Sequence, residues 1–117
     1  MEAGRAEFLA RLEADCPGVV ATFGRYSAGF LHCEVADFRR ATEQAMDAGH
    51  LWEAERHFRL VEDLLVVAGP ELRNALEVSY LEDLALGECT PARCRAIKER
   101  MPLKLRQVLI GHDEKWR

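Results

Sequence analysis

The apolar positions between residues 51 and 86 predict two helices that fold back on each other at Gly69-Pro70. In the first helix apolar side chains recur every three or four residues, the spacing that places them on one face. These residues are Leu51, Ala54, Phe58, Val61, Leu65 and Ala68. After the Gly-Pro break the chain is apolar around most of the helix circumference as far as Leu86, which predicts burial from several sides. We therefore expect this hairpin to form the centre of the fold.

Amphipathic patterns on both sides of the hairpin predict further helices. One covers residues from about 2 to 14, and another begins at Leu31 and ends near Gly49, where glycine suits a left-handed C-cap. The apolar stripe of this second helix consists of Leu31, Val35, Phe38, Thr42 and Ala45. Thr90-Pro91 is a start signal, because threonine caps a helix and proline fits its first position. No alternation typical of strands occurs, so the sequence predicts an all-α, single-domain bundle of five to six helices over residues 1–117, ending in a polar tail, 112–117.

The charge is distributed unevenly along a chain whose 117 residues suffice for one core. Residues 1–89 hold 17 acidic and 8 basic side chains, a net −9, whereas residues 90–117 hold 8 basic and 3 acidic ones, a net +5. Charged faces most often serve solvation. The functional interpretation is steering of a charged partner, which for the acidic part is a basic protein and not nucleic acid. Since no apolar run approaches the roughly 18 residues that span a bilayer, we expect no membrane partner and a cytoplasmic location.

Four cysteines, an even number, would indicate two disulfides in a small secreted protein. Because the chain has enough apolar residues to fold unaided and no secretory signal pattern, we interpret Cys16, Cys33, Cys89 and Cys94 as reduced thiols, mostly small core residues. Cys89 and Cys94 flank Thr90-Pro91 at a spacing that matches no common zinc pattern. We expect no cofactor, although the sequence leaves a metal or redox role of this pair open.

A second metal-type pattern is formed by His50, Glu53 and His57, which share a face of the predicted helix. The chain lacks the second carboxylate and histidine set of di-iron bundles. We therefore interpret these three side chains as solvated polar residues, with a metal site as the alternative.

Polar groups also interrupt the otherwise apolar helix after Pro70, and buried polar groups need partners. We expect structural roles: Asn74 near the helix start, Ser79 bonded back to a carbonyl one turn earlier, and Tyr80 with its hydroxyl at the surface. The alternative is a groove in which they contact a partner. Trp52 and Trp116 are the aromatic residues least readily assigned to the core, and exposed tryptophan is enriched at interfaces.

Arg25 and His32, separated by six residues, resemble the Arg-x(4 to 6)-His element of HEPN-type helical ribonucleases. That resemblance implies RNA cleavage at a dimer interface by charge stabilisation and proton transfer. The residues between them predict a loop rather than the helical context of that family. With no phosphate loop, no Ser-His-Asp pattern and no activated cysteine, we interpret the chain as non-enzymatic.

Two resemblances concern the helical hairpin and the chain as a whole. Ala45-x3-Gly49-x4-Ala54-x3-Phe58 resembles the middle of a tetratricopeptide repeat, which implies a scaffold, an adaptor or a homodimerisation module. Most of the chain resembles a family of small helical bacterial proteins of largely uncharacterised function. The motifs are Leu31-His32, Phe38, Ala45, Gly49, Arg56-x-Phe58, Val61-Glu62-x-Leu64-Leu65, Asn74-Ala75-x2-Val78-Ser79-Tyr80-Leu81-Glu82 and Met101-Pro102-x2-Leu105.

Members of this kind look like the immunity proteins of polymorphic-toxin and contact-dependent growth-inhibition systems. The resemblance implies a non-enzymatic protein that binds and blocks a cognate toxin, often a basic nuclease, with acidic charge that accelerates encounter. Trp52 is the expected anchor. The expected acidic contacts are Glu34, Asp37, Glu53, Glu55, Glu82 and Asp83. The scaffold and the HEPN-like ribonuclease are the alternatives.

Overall fold

The computed structural model of the protein describes residues 2–117, so Met1 of the predicted domain lies outside it. Within this range the chain forms seven α-helices and no strand, which confirms the all-α single-domain bundle. The helices are α1 (Arg5–Asp15), α2 (Pro17–Val20), α3 (Leu31–Asp47), α4 (Leu51–Val67), α5 (Pro70–Ala75, Leu76–Glu82 and Asp83–Leu86), α6 (Pro91–Arg100) and α7 (Leu103–His112). None of the helices described is long and apolar enough to cross a membrane.

The predicted hairpin is formed by α4 and α5, and the turn between them is held by the N-terminal segment. Pro70 is at the start of α5, where its missing N–H removes no helical hydrogen bond. The Ala3 N–H donates to the Val67 carbonyl and the Gly69 N–H donates to the Ala3 carbonyl, both at 2.8 Å. The chain start therefore closes one end of the hairpin, while α3 packs across both of its helices.

The middle of α5, Leu76–Glu82, is π-helical. Its wider turns bring three consecutive side chains, Ser79, Tyr80 and Leu81, into the interior. The same helix leaves Val78 and Leu86 exposed. Solvent thus reaches one side of α5, which is less enclosed than its apolar composition predicts.

Trp116 corrects the prediction of a polar tail. A 3-10 turn, Glu114–Trp116, follows α7 and places the indole ring in the core with no exposed surface. Its Nε1–H donates to the Ala85 carbonyl in the last turn of α5 at 2.6 Å. The Arg106 guanidinium binds the Trp116 carbonyl at 3.2 Å, so the chain end is attached to the bundle through backbone and side chain.

The interpretation of all four cysteines as reduced thiols is wrong for one pair, because Cys89 and Cys94 form a disulfide. Thr90 caps α6 directly after Cys89, and its Oγ1 accepts the Arg93 N–H at 3.2 Å. Because the helix begins at Pro91, Cys94 lies in its first turn, close to Cys89. The two Cα atoms are 5.7 Å apart, inside the range that a disulfide bridges. Cys16 and Cys33 are free; Cys33 is exposed and Cys16 half-buried, so neither is a fully buried core residue.

Removing the disulfide is expected to lower the free energy of unfolding modestly. Because the bridge has a sequence separation of only 5, it restricts the unfolded chain little, and we expect a loss of about 2 kcal/mol in the Cys89→Ala/Cys94→Ala variant. Urea unfolding followed by circular dichroism measures this difference. The exposed Cys33→Ala variant is the control, and a loss as small as its own would contradict the prediction.

Candidate functional site

His57 is the main departure from the expected solvated polar face, because it is fully buried. It lies in the second turn of α4, on the side that faces α3 and α5. Its ring packs on Phe38, with 5.1 Å between ring centroids. Its Nδ1 lies 2.8 Å from the Thr42 hydroxyl. Burial, followed by the nearby Arg56 charge, lowers the pKa of His57 to about 4.

Thr42 connects His57 to Tyr80. The Tyr80 hydroxyl lies 2.7 Å from Thr42 Oγ1, and the Phe38 carbonyl lies 3.2 Å from the same atom. Tyr80 is completely buried, and its burial raises the pKa of the phenol. The prediction of a surface hydroxyl at Tyr80 is therefore wrong, since the π-helical turn directs this side chain into the core. The prediction that Thr42 belongs to the buried stripe of its helix is confirmed.

One arrangement of protons satisfies all three contacts of the Thr42 hydroxyl. A hydroxyl donates once and accepts twice. The Phe38 carbonyl can only accept, so Thr42 donates to it and accepts from both Tyr80 O–H and His57 Nδ1–H. Neutral His57 then carries its proton on Nδ1, and its Nε2 presents a lone pair. Among residues 2–117, His57 Nε2 is the buried side-chain polar atom that has no hydrogen-bond partner.

His57 is one of the residues that line an open cleft of about 310 Å³ between the start of α2 and the first turns of α4, although its side chain has no exposed surface. Trp52 is 72% exposed and forms an aromatic wall. The polar lining comprises Asp15, Cys16, Glu53 and Arg56 together with His57. Arg56 donates a hydrogen bond to the Asp15 carbonyl across the cleft. Burial raises the pKa of the Cys16 thiol, which disfavours the reactive thiolate.

Glu53 lies above His57. Its Oε1 is 4.0 Å from His57 Nε2, and its Oε2 is 3.7 Å from His50 Nδ1. No group of three or more histidine, cysteine, aspartate or glutamate side chains in residues 2–117 is placed to hold a metal ion. The three residues of the metal-type pattern are near one another without forming such a site.

Glu34 corrects the predicted set of exposed acidic contacts, because it is only 2% exposed. The Arg5 guanidinium donates two hydrogen bonds of 2.7 and 2.9 Å to its carboxylate, and the Gly29 N–H donates a third. The Arg5 guanidinium holds the pKa of Glu34 below its usual range. The side chain lies on the inner side of the first turn of α3, where an exposed acid was expected.

The other predicted contacts differ in how strongly they are already neutralised. Three form ion pairs within the chain: Asp37 with Arg40, Glu55 with Arg59, and Asp83 with Arg39. Over residues 2–117, neither Glu53 nor Glu82 takes part in an ion pair with lysine or arginine. Glu53 and the exposed Trp52 are the two predicted contacts that the fold brings together at the cleft.

Ion pairs also join residues 1–89, which carry the net negative charge, to the basic residues of 90–117. Arg93 of α6 binds Asp47 through two contacts of 2.8 Å and Glu43 at 3.5 Å. It holds the pKa of Asp47 below its usual range. Arg93 is therefore engaged by acids of α3, whereas Arg95 pairs within α6 with Glu99.

Arg25 and His32 are not brought together by any hydrogen bond of the described residues. Arg25 lies in the turn before α3, 5.9 Å above the exposed Tyr26 ring. His32 Nδ1 lies 2.8 Å from Ser79 Oγ, and Asn74 Nδ2 is 3.5 Å from its Nε2. The prediction that Ser79 bonds back within its own helix is thus wrong, because the π-helical turn directs its hydroxyl to α3.

The low pKa of His57 predicts acid sensitivity. Below about pH 6.5 the unfolded chain binds a proton at His57 that the folded protein takes up only near pH 4, so stability is lost as the pH falls between these values. We expect a loss of about 2 kcal/mol between pH 7 and pH 5 from this group. Urea unfolding at both values should show this loss reduced in His57→Gln and retained in the control His112→Gln. An equal loss in both variants would contradict the assignment.

Residues 9–117 match the family described as Domain of unknown function (DUF7674). No curated protein and no solved structure shows significant similarity to the chain.

Proposed function

The chain belongs to the DUF7674 family of domains of unknown function, and we propose that it is a non-enzymatic protein-binding domain that acts through the cleft at the start of α4. The observation that carries the proposal is the position of Trp52. This large aromatic side chain is 72% exposed beside an open cleft. Exposed tryptophans next to a pocket are the residues that most often anchor an interface.

We propose a basic toxin as the partner, with this chain as its immunity protein. The resemblance to immunity proteins supports a toxin as the partner. The net negative charge of residues 1–89 supports a basic surface on that toxin. Glu53 contributes directly, because its carboxylate lies beside Trp52 without a lysine or arginine partner in residues 2–117. Four of the six predicted acidic contacts are paired with arginine within the fold, and Glu53 is the unpaired one that lies at the cleft, so we place the docking surface there.

The test is binding to the toxin encoded beside the gene for this chain. We expect a one-to-one complex by calorimetry, inhibition of the toxin, and an affinity that falls as salt is raised. Trp52→Ala is expected to weaken binding at least about tenfold. Val66→Ala is the matched control, because Val66 is 77% exposed near the other end of the same helix, and its affinity should stay within about twofold.

The absence of a toxin reading frame beside the gene would contradict the immunity role. Equal affinity of Trp52→Ala and wild type would contradict the proposed surface.

The scaffold alternative is supported by the hairpin of α4 and α5, which presents exposed Val66 and Val67. It predicts a stable homodimer in light scattering without any partner. The immunity proposal predicts a monomer that becomes a heterodimer when the toxin is added.

We also propose a cytoplasmic location, in which the Cys89–Cys94 disulfide of the fold would be reduced. The cytoplasm keeps thiols reduced, so alkylation of freshly lysed cells should modify both residues. A protected pair would instead place the protein in an oxidising compartment.

A further inference from the structure

We propose that the cleft beside Trp52 is a binding site for a single primary ammonium group, which a lysine side chain of the partner supplies. This inference rests on the proposed protein-binding function and names the group that the site receives. Three observations carry it: the unpartnered Nε2 of buried His57, the Glu53 carboxylate opposite to it, and the aromatic wall of Trp52.

The first step concerns hydrogen-bond polarity. The Thr42 contacts place the His57 proton on Nδ1, so Nε2 offers only a lone pair. The Glu53 carboxylate also only accepts when ionised. Two acceptors without a donor between them require an occupant that donates to both. A carbonyl, a carboxylate or a phosphate is thereby excluded as the occupant of this position.

The second step concerns distance. His57 Nε2 and Glu53 Oε1 are 4.0 Å apart, too far for a direct hydrogen bond. A single nitrogen located about 2.9 Å from each atom would donate to both, and because Nε2 is buried, its entry requires the side chains that cover Nε2 to move outward. An ammonium nitrogen carries three hydrogens on one atom and meets this requirement. The guanidinium of arginine spreads its donors over a plane and suits two parallel acceptors instead.

The third step concerns charge. Asp15 of the lining is paired with Arg11 at 3.2 Å, so among the described residues that line the cleft Glu53 is the carboxylate without a lysine or arginine partner. Arg56 is held by its hydrogen bond to the Asp15 carbonyl. Trp52 adds a face for cation–π contact. A cation is therefore favoured over water, which could satisfy the same two acceptors without neutralising Glu53.

The direct test uses n-butylammonium as the probe and observes the imidazole nitrogens of His57 by ¹⁵N NMR. We expect the Nδ1-protonated tautomer in the free protein, and a shift of the Nε2 resonance that saturates as n-butylammonium is added. Glu53→Gln should weaken this binding at least fivefold. Glu82→Gln is the matched control, because it removes one negative charge from another acid that lacks a lysine or arginine partner, and it should bind like the wild type.

Three results of the probe experiment would overturn the proposal: an Nε2-protonated tautomer, equal binding of neutral N-butylacetamide, or tighter binding of n-butylguanidinium. The toxin separates this inference from the function on which it rests. If the toxin binds wild type and Glu53→Gln equally well, the ammonium site is wrong and the protein-binding role stands. If n-butylammonium binds at His57 but the adjacent toxin does not bind, the ammonium site stands and the immunity role fails.

Discussion

Replacing Trp116 with alanine is expected to lower the free energy of unfolding by about 4 kcal/mol, the loss typical of a fully buried tryptophan. The indole has no exposed surface. Its Nε1–H donates a hydrogen bond to the Ala85 carbonyl, one of those that the end of α5 leaves without a helical partner. The substitution creates a cavity and removes this hydrogen bond at once. Urea unfolding followed by circular dichroism measures the effect.

Arg117→Ala is the control for Trp116→Ala. Its side chain is 72% exposed one position further on, so we expect a change within about 0.5 kcal/mol. If Trp116→Ala were as mild as this control, the chain end would not be part of the core.

Replacing Thr42 with valine is the second large effect, with an expected loss of about 2–6 kcal/mol. Valine keeps the shape of threonine but leaves two buried groups, Tyr80 O–H and His57 Nδ1–H, without an acceptor. Each buried group that loses its partner costs about 1–3 kcal/mol. Chemical unfolding of the variant tests whether one hydroxyl satisfies both groups.

The Tyr80→Phe variant distinguishes the cost of losing one hydrogen bond from the cost of leaving a buried donor without an acceptor. It removes one hydrogen bond of Thr42 but leaves no donor unpaired, so we expect a loss of only about 1 kcal/mol. In the double variant Thr42→Val/Tyr80→Phe one orphan disappears, and the total loss should be smaller than the sum of the single losses. Additive losses would contradict the arrangement of protons at Thr42.

The sequence predicted the helical framework because that information is local. The Gly69-Pro70 turn and the Thr90-Pro91 start depend on backbone rules that act within a few residues. Both are present, with Pro70 at the start of α5 and the Thr90 cap bonded to Arg93. The buried stripe of α3 also followed from spacing alone.

His57 shows why the candidate site was less predictable. Its spacing from His50 and Glu53 predicts a place on the polar face. It also follows Ala54 by three residues and precedes Val61 by four, which is the spacing of the buried face. That signal was available, but the identity of its partner, Thr42 of another helix, was not. The burial of Trp116 was not predictable for a related reason. Its sequence neighbours are polar, and its contact on α5 is distant in the sequence.

The acidic surface was predicted from a sum of charges, and a sum does not record pairing. Glu34 and Glu53 contribute equally to the net −9 of residues 1–89. In the fold Arg5 encloses Glu34, whereas Glu53 remains beside the cleft. Only the three-dimensional arrangement distinguishes an acid that stabilises the fold from one that is available to a partner.

The π-helical segment of α5 sets the angular phase of everything that follows it. Each residue of an α-helix advances about 100° around the axis. If the seven residues from Leu76 to Glu82 were wound as an ordinary α-helix instead, the turn that follows them would be rotated by roughly that angle. Leu84 and Ala85 would leave the core, and the carbonyl that receives Trp116 would point elsewhere. The winding of this short segment thus determines whether the last turn of α5 can receive Trp116 at the end of the chain.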